Sequence, residues 1–460
     1  LFIKMLETCF AEFSNTSIPI RLCIPATLTD LLKQRPPYVQ TWVDQHAFKA
    51  MPSSILLVPN HDGQIAEVFW GLDETPWQFA CLASKLSIGT YHIEDWDKVD
   101  QNLACLTWAL SFYQFNRYKA QKNKSHVTLI WPSAVNKEWV KASIEAISLI
   151  RDLINTPACD LTPEALALAA KSTTAPFGSE FKVVIGEDLQ REFPAIYTVG
   201  KAAESSPRLI DMRWSHPQPK KAIAIVGKGV CFDSGGLDIK PSVGMLMMKK
   251  DMGGAAHALA LAFLIMKLNL PLSLRLLIPA VENAISGNAM HPLDIIKTRK
   301  GLTVEIGNTD AEGRLILADA LHEACQDKPD LVLDFATLTG AARVALGPEL
   351  PALFSNNPEI SDALLAAGHQ VHDPLWSMPL HKPYAKYLKS SIADLSSTGK
   401  SSYGGAITAA LFLEHFIEKG INWVHIDHMA WNLASTPGRP EGGEAMGLLA
   451  VFRFISNFVG

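Results

Sequence analysis

The sequence predicts an α/β protein with a mixed, largely parallel sheet covered by helices on both faces in its C-terminal part, and a smaller α/β domain before it. Three observations support this fold class. The strand-like runs after residue 220 are continuously apolar, as expected for strands buried on both faces. Helical segments separate these runs, which is typical of parallel sheets. Apolar residues make up 48% of the 460 residues, enough for a large core.

The first elements along the chain are short strands and one long helix. Apolar segments bounded by turn formers predict strands at 54–60 and 126–131. Residues 134–154 carry apolar side chains at helical spacing, which predicts a helix. It should end before Pro157, because a proline biases its predecessor away from the helical conformation. Thr162, followed by a proline and a glutamate, is typical of the cap of a following helix.

Strands and helices then alternate through the rest of the chain. Strands are expected at 222–229, 272–281, 302–307, 331–338 and 421–429, and helices at 253–268 and 311–325. The Ser/Gly-rich stretch 396–405 is the best candidate for a functional loop. We expect an N-terminal α/β domain at 1–132, a linker helix at 133–160 and a catalytic domain at 161–460.

Composition excludes several classes of protein. Charged residues make up 19% and the net charge is −5, which excludes a disordered chain. A pI of 6.3 argues against a nucleic-acid partner, and no apolar run reaches the ~20 residues of a membrane-spanning helix. The seven cysteines form no C-x-x-C pair, which argues against a disulfide framework or a thiolate zinc site. We therefore expect a cytoplasmic protein without a membrane partner.

Four carboxylates stand at strand ends or helix starts, where open α/β sheets bind ligands: Asp233, Asp251, Asp310 and Glu312. Any one of them alone can be a helix cap or a solvated turn. Asp310 and Glu312 are two residues apart, so in extended chain both side chains would point to one side. Four convergent carboxylates repel one another unless cations lie between them, and such sites suit Mg²⁺, Mn²⁺ or Zn²⁺. Two divalent ions would balance the four negative charges.

Three motifs contain these carboxylates: GKGVCFDSGGLDIKP at 227–241, MLMMKKDMGGAA at 245–256 and GNTDAEGRL at 307–315. They resemble the three signatures of the leucyl (cytosol) aminopeptidases, di-metal exopeptidases that are commonly homohexameric. The resemblance extends from about Tyr113 to the C-terminus. It implies hydrolysis of N-terminal amino acids from peptides that have a free N-terminus, through a water activated by two metal ions, most simply Mn or Zn, with Mg or Co as alternatives.

The resemblance also implies roles for individual residues. One metal would be held by Asp233, Asp310 and Glu312, and the second by Lys228, Asp233, Asp251 and Glu312. Lys240 and Arg314 match the two catalytic positions, the first polarising the scissile carbonyl and the second holding a bicarbonate ion as general base. Substrate contacts would come from Lys240, Met248, Thr337 and Gly340.

Other classes of enzyme lack their motifs in this sequence. The pairs Gly227-Lys228 and Gly399-Lys400 lack the upstream glycine of a phosphate-binding loop, and neither G-x-S-x-G nor H-E-x-x-H occurs. One alternative stays open: a catalytically reduced family member that acts as a structural or DNA-binding scaffold. His428 and Met429 stand where many members carry Ile-Ala beside the substrate pocket, so the preferred N-terminal residue also stays open.

Overall fold

The computed structural model describes residues 9–119 and 127–460. The chain divides into two compact units. The first unit comprises Leu1–Glu145 with Ala434–Glu441, and the second comprises Ala146–Leu433 with Gly442–Gly460. The division falls inside the helix Lys137–Asn155, within the segment where a linker helix was expected. Each unit has its own sheet, as described below.

The first unit is built on a six-stranded sheet. Its strands are β1 (Phe10–Ala11), β2 (Ile18–Cys23), β3 (Ile55–Pro59), β4 (Ile65–Gly71), β5 (Gly89–Ile93) and β6 (Val127–Ile130). The spatial order is β1-β6-β5-β2-β4-β3, and only the β3–β4 pair is antiparallel. The described helices of this unit are Pro25–Lys33, Pro37–Gln45, Gln78–Lys85 and Gln101–Leu110. The strands predicted at 54–60 and 126–131 are β3 and β6, although residue 126 lies outside the described residues.

The second unit contains the remaining strands. They are β7 (Glu180–Ile185), β8 (Arg208–Ser215), β9 (Lys221–Gly227), β10 (Gly229–Asp233), β11 (Leu272–Asn283), β12 (Ile295–Lys297), β13 (Thr303–Glu305), β14 (Leu331–Ala336), β15 (Ala352–Ser355), β16 (Trp376–Ser377), β17 (Leu395–Ser396), β18 (Asn422–Asp427), β19 (Trp431–Asn432) and β20 (Gly442–Gly443). Nine of them form the main sheet.

The main sheet has a parallel centre and antiparallel flanks. Its order is β16-β15-β18-β14-β9-β11-β8-β7, and β10 adds to the end of β11. The neighbours β18, β14, β9 and β11 run parallel, whereas β15, β8 and β7 each pair antiparallel with their inner neighbour. Every side chain of β14 is buried. Because successive side chains point to opposite faces, both faces of the sheet are covered, and the predicted fold class is confirmed.

The helices of the second unit cover this sheet. They include Pro163–Thr174, Gly186–Glu192, Pro194–Gly200, Gly253–Lys267, Glu312–Cys325, Gly340–Leu346, Pro358–Gln370, Gly405–Glu414 and Leu448–Val459. Helix Gly253–Lys267 buries all but two of its residues, as expected for a helix that is apolar all round. It packs on β9 and β14 so closely that a Cβ on Gly254 would lie 2.2 Å from the Phe335 carbonyl oxygen. Within the described ranges, no helix has the length and apolarity to span a bilayer.

One predicted strand has a different place in the fold. The segment 302–307 forms only β13, which pairs with β12 and β17 in a separate three-stranded sheet. The stretch 396–405 is a loop after β17 that ends where helix Gly405–Glu414 begins. The other predicted strands and helices of this unit occur within a few residues of their expected bounds, and Thr162 caps its helix by accepting from the Ala165 amide.

Candidate active site

Three of the predicted carboxylates meet beyond the carboxyl end of the main sheet. Asp233 is the last residue of β10, and Glu312 is the first residue of helix Glu312–Cys325. Asp310 lies in the turn before that helix. One carboxylate oxygen from each of these residues lies within 4.8 Å of the others. The spacing is small enough for a single metal ion to contact all three.

The fourth carboxylate is joined to this group by Lys228. Lys228 lies between β9 and β10, and its Nζ is 2.7 Å from Asp251 Oδ2 and 3.0 Å from Glu312 Oε1. All three side chains are almost completely buried. Burial alone lowers the pKa of the Lys228 ammonium, but the charges of Asp251, Glu312 and Asp233 outweigh burial and raise it. The lysine therefore neutralises part of a charge cluster that would otherwise repel itself.

Gly313 creates the space that Lys228 occupies. A Cβ at this position would lie 2.5 Å from Lys228 Cε and 2.7 Å from its Nζ. Real Cβ contacts are never this short, so any larger residue would displace the lysine. The glycine in the motif at 307–315 is thus required by packing against the lysine side chain.

Glu312 has the properties of a cation ligand. It is 1% exposed, and neither of its carboxylate oxygens accepts a hydrogen bond, although the Lys228 ammonium lies at ion-pair distance from one of them. Burial and the charge of Asp233 raise the pKa of Glu312 to about 8. Burial and Asp233 likewise raise the pKa of Asp310 to about 6. Buried carboxylates with free oxygens are stabilised by divalent cations, so these residues fit a metal centre.

The backbone between Asp310 and Glu312 differs from the expectation. We expected extended chain, which would point both side chains to one side. Instead Ala311 has φ −109° and ψ 36°, and Glu312 already belongs to the helix. The extended conformation was therefore wrong, and the carboxylates meet because the turn leads directly into a helix that projects Glu312 towards β10.

Asn283 is a site residue that the sequence reading missed. It ends β11, is buried, and its Nδ2 donates to Asp233 Oδ1 at 2.8 Å and to the Thr309 carbonyl at 3.1 Å. The Gly235 amide donates to the same Asp233 oxygen at 2.9 Å. These bonds fix the orientation of Asp233. Asn283 stands at a strand end as the carboxylates do, but its amide carries no charge, and charge was the signal that singled out the carboxylates.

Lys240 is a second lysine in contact with the carboxylates. Its Nζ lies 2.7 Å from Asp233 Oδ2 and forms a short ion pair with Asp310. Burial lowers the pKa of Lys240, but the two carboxylates outweigh it and raise the pKa to about 12. Lys240 therefore remains a cation beside the cluster.

Arg314 lies two residues after Glu312 in the same helix. Its Nη1 donates to the Ser397 carbonyl at 2.7 Å, whereas its buried Nε has no hydrogen-bond partner. Burial lowers the pKa of Arg314 to about 10, so it stays charged at neutral pH. Ser397 belongs to the predicted functional loop. A buried guanidinium with a free N–H fits a small anion.

Of the three remaining predicted residues, Met248 and Thr337 lie close to Asp251. Met248 begins the 3-10 helix Met248–Met252 that contains Asp251, so the two are not placed by an α-helical turn. The Thr337 hydroxyl donates to Asp251 Oδ1 at 2.7 Å, and its carbonyl accepts from Lys228 at 3.2 Å. Gly340 begins helix Gly340–Leu346, three residues after Thr337.

Two family models match the chain over most of its length. Residues 148–451 match the catalytic domain of the cytosol aminopeptidase family, and residues 18–132 match the N-terminal domain of the M17 aminopeptidases. A probable cytosol aminopeptidase of Prochlorococcus marinus strain MIT 9211 is 37% identical over 381 residues, which cover 79% of this chain and 77% of the relative.

Solved structures agree with these matches. The crystal structure of a cytosol aminopeptidase from Coxiella burnetii superposes with a TM-score of 0.94 and 46% identity, covering 99% of this chain and 100% of the other. The bottromycin maturation enzyme BotP in complex with Mn superposes with a TM-score of 0.85 and 28% identity, covering 96% and 100%. These matches confirm the resemblance found in the three motifs. The chain therefore belongs to the cytosol aminopeptidase family: it is an aminopeptidase, a hydrolase that acts on peptides.

Proposed function

We propose that the chain removes N-terminal amino acids from peptides at a centre of two divalent metal ions. The observation that carries this proposal is the buried carboxylate of Glu312. Both of its oxygens lack hydrogen bonds although they lie among three other carboxylates. A buried carboxylate in such surroundings costs stability unless cations compensate it.

The ligands divide into two sets that share Asp233 and Glu312. Asp233, Asp310 and Glu312 would hold one ion, and Lys228, Asp233, Asp251 and Glu312 would hold the other. When bound, the ions would lower the pKa of a shared water and attract the scissile carbonyl oxygen. Manganese or zinc suits this donor set best, with Mg²⁺ or Co²⁺ as alternatives, and the Mn complex of BotP supports manganese.

Lys228 has a particular part in this scheme. As a ligand it must bind as a neutral amine, whereas the surrounding carboxylates now favour its ammonium form. Loading of the site would therefore release the proton of Lys228, because ligand groups lose their protons on metal binding. The carboxylates that now stabilise the ammonium form of Lys228 are the same carboxylates that would bind the metal ions.

Lys240 would polarise the scissile carbonyl. Its ammonium borders the cluster beside Asp233 and Asp310 without belonging to either ligand set. A cation in this position stabilises the oxyanion that develops on the carbonyl oxygen during attack.

Arg314 would hold the general base. The three motifs contain no histidine, and Asp238, their one carboxylate outside the two ligand sets, already accepts a hydrogen bond from the Thr309 amide at 2.7 Å. Arg314 has a buried Nε without a partner, which supports the binding of a bicarbonate ion there. Fixed by Arg314, that anion would accept the proton.

Metal content and activity together test the centre. We expect two metal equivalents per chain in the protein as purified, loss of hydrolysis after exhaustive chelation, and recovery with Mn²⁺, Zn²⁺ or Co²⁺. Glu312→Gln should lose metal and activity while keeping a near-native circular dichroism spectrum. Glu359→Gln, an exposed carboxylate far from the cluster in sequence, is the matched control and should behave as the wild type. Full hydrolysis by the metal-free protein would overturn the proposal and favour the scaffold alternative.

The assembly, the location and the domain roles also belong to this proposal. The resemblance supports a homohexamer, and the name of the curated relatives supports the cytoplasm. We assign the N-terminal domain to 1–132, the linker helix to 133–160 and the catalytic domain to 161–460. Sedimentation should show about six times 50.3 kDa, by the symmetry usual for homo-oligomers. A fully active monomer would contradict the hexamer.

A further inference from the structure

A partly exposed loop carries Lys240. It covers residues 234–240, between the end of β10 and helix Ser242–Met245. Its two apolar side chains beyond the glycines, Leu237 and Ile239, are 37% and 58% exposed. Burial of apolar surface therefore contributes little to the position of this loop, and its position depends on polar contacts.

The start of the loop packs closely on two buried polar residues. Gly236 has a φ angle of 68°, in the left-handed region that favours glycine. A Cβ at this position would lie 2.9 Å from Asn283 Oδ1 and 3.1 Å from Thr309 Oγ1. The loop backbone thus turns directly over the side chain of Thr309, which precedes the proposed ligand Asp310 in the chain.

Thr309 joins the loop to the turn before helix Glu312–Cys325 with three hydrogen bonds. Its hydroxyl donates to the Gly235 carbonyl at 2.7 Å and accepts from the Asp238 amide at 2.8 Å. Its own amide donates to Asp238 Oδ2 at 2.7 Å. Thr309 is completely buried, so these bonds are protected from competing water.

These bonds fix the backbone from which Lys240 projects. One of them engages Gly235 near the start of the loop, and the other two engage Asp238, two residues before the lysine. The Lys240 amide closes the loop by donating to the Ser234 carbonyl at 3.0 Å. Asn283 holds the same assembly, because its side chain donates to the Thr309 carbonyl and its own carbonyl accepts from the Ser234 amide at 3.1 Å.

We infer that Thr309 is a positioning residue for Lys240, whose hydroxyl holds the 234–240 loop in the place that catalysis requires. The inference rests on the proposed function, because that function gives Lys240 its role beside the scissile carbonyl. A valine in place of Thr309 would keep the volume but leave the Gly235 carbonyl and the Asp238 amide without their partner, which is costly in a buried site. The loop would then shift, and a misplacement of about 1 Å can lower turnover by ~10².

The kinetics of Thr309→Val test this effect. On a peptide substrate we expect kcat to fall by ~10–10², less than on removal of Lys240, while KM stays nearly unchanged and two metals remain bound. Thr309→Ser keeps the hydroxyl and should restore most of kcat. Because Thr309 acts through Lys240, Thr309→Val should have little further effect on kcat in a Lys240→Met background.

Thr174→Val is the matched control for these measurements. Thr174 is equally buried, and its hydroxyl donates to the Ala170 carbonyl at 3.0 Å within its own helix, Pro163–Thr174. Its replacement removes a buried hydroxyl without touching the 234–240 loop. We therefore expect wild-type kcat, KM and metal content in this variant.

Hydrogen exchange gives a second readout that does not depend on activity. Mass spectrometry of peptides that cover 234–240 should show the amides of Asp238 and Lys240 exchanging about tenfold faster in Thr309→Val than in the wild type. Thr309→Ser and Thr174→Val should exchange as the wild type does. Peptides from helix Gly253–Lys267 should be unaffected in every variant, which separates a local change in the loop from a general loss of stability.

Three results would each refute the positioning role. The first is wild-type exchange and wild-type kcat in Thr309→Val. The second is loss of metal in proportion to activity, which would show that Thr309 acts through its neighbour Asp310. The third is an undiminished effect of Thr309→Val in the Lys240→Met background. Failure of the proposed function would be recognised separately, because Lys240→Met would then keep wild-type kcat or the metal-free wild type would hydrolyse peptides.

Discussion

The Lys228 ammonium lies 2.7 Å from Asp251 Oδ2, although the two residues come from different motifs and different secondary-structure elements. The contact holds two ligands of the proposed second metal site in place before any ion binds. It exists because Gly313 leaves room for the lysine side chain. The glycine is therefore the simplest point at which to disturb the centre without touching a ligand.

Gly313→Ala should displace Lys228 and weaken binding of the second metal. The new Cβ would lie 2.5 Å from Lys228 Cε, so the lysine must move out of its position. We expect a loss of close to one metal equivalent and most of the activity, measured by metal analysis and peptide hydrolysis. Gly287→Ala is the control, since a Cβ there meets nothing within 4 Å. Unchanged metal content in Gly313→Ala would show that Lys228 is not a ligand.

Lys240→Met should slow turnover without releasing metal. Lys240 pairs with Asp233 and Asp310 but belongs to neither ligand set in the proposed scheme. Loss of one group that stabilises an oxyanion typically lowers kcat by ~10²–10³, and we expect a decrease of that size. Two metals should remain bound. If the variant loses metal in proportion to activity, Lys240 acts by holding the ligands instead.

Arg314→Ala should abolish the response to bicarbonate. The wild type should be stimulated by added bicarbonate, and the variant should be slower by ~10²–10⁴, the usual contribution of a general base. Kinetics against bicarbonate concentration measure both effects. A variant that responds as the wild type does would indicate that Arg314 only orders the loop through its bond to the Ser397 carbonyl.

Acetylation of the substrate N-terminus should abolish hydrolysis. In the proposed scheme the free α-amine binds beside Asp251 and Lys228, where the acetyl group would add bulk and remove the basic nitrogen. The measurement compares rates on one peptide with and without the acetyl group. Comparable rates would favour an endopeptidase over an aminopeptidase.

His257 should make stability fall in mild acid. Its Nδ1 lies 2.7 Å from the Gly253 carbonyl, and its Nε2 accepts the Met446 amide at 2.9 Å. Burial lowers the pKa of His257 to about 4, below the ~6.5 expected in the unfolded chain. A depressed histidine pKa means that stability is full above about 6.5 and decreases as the pH falls towards 4.

The size of this effect follows from the two pKa values. Between pH 7 and pH 5 the wild type should lose about 2 kcal/mol more unfolding free energy than His257→Gln. The glutamine keeps an acceptor for the Met446 amide but cannot take up a proton. Denaturant unfolding at the two pH values measures the difference, in which titrating groups remote from His257 cancel. Identical pH dependence of both proteins would contradict the assignment.

Much of the fold could be predicted from local patterns. The runs that became β9, β11, β14 and β18 are mostly apolar rather than regularly alternating, which indicates burial on both faces. A local pattern of this kind indicates whether a segment forms a strand or a helix. It does not indicate which sheet the strand joins. The segment 302–307 was also predicted as a strand, yet β13 joins a separate sheet, where it pairs with β12 nearby and with β17, about 90 residues later in the chain.

The sequence by itself determined the elements, the four carboxylates and the three motifs, because strand ends and helix starts are readable from residue type and spacing. Only the tertiary structure decided which side chains meet. Asn283 orients Asp233 across 50 residues, and the side chain of Lys228 occupies the space that Gly313 leaves open. Local spacing carries no information on such contacts, since they depend on how separate elements pack. A buried charge without a partner is costly, and such a charge therefore points to a bound ion or ligand. Whether a side chain is buried is likewise decided only by the folded chain.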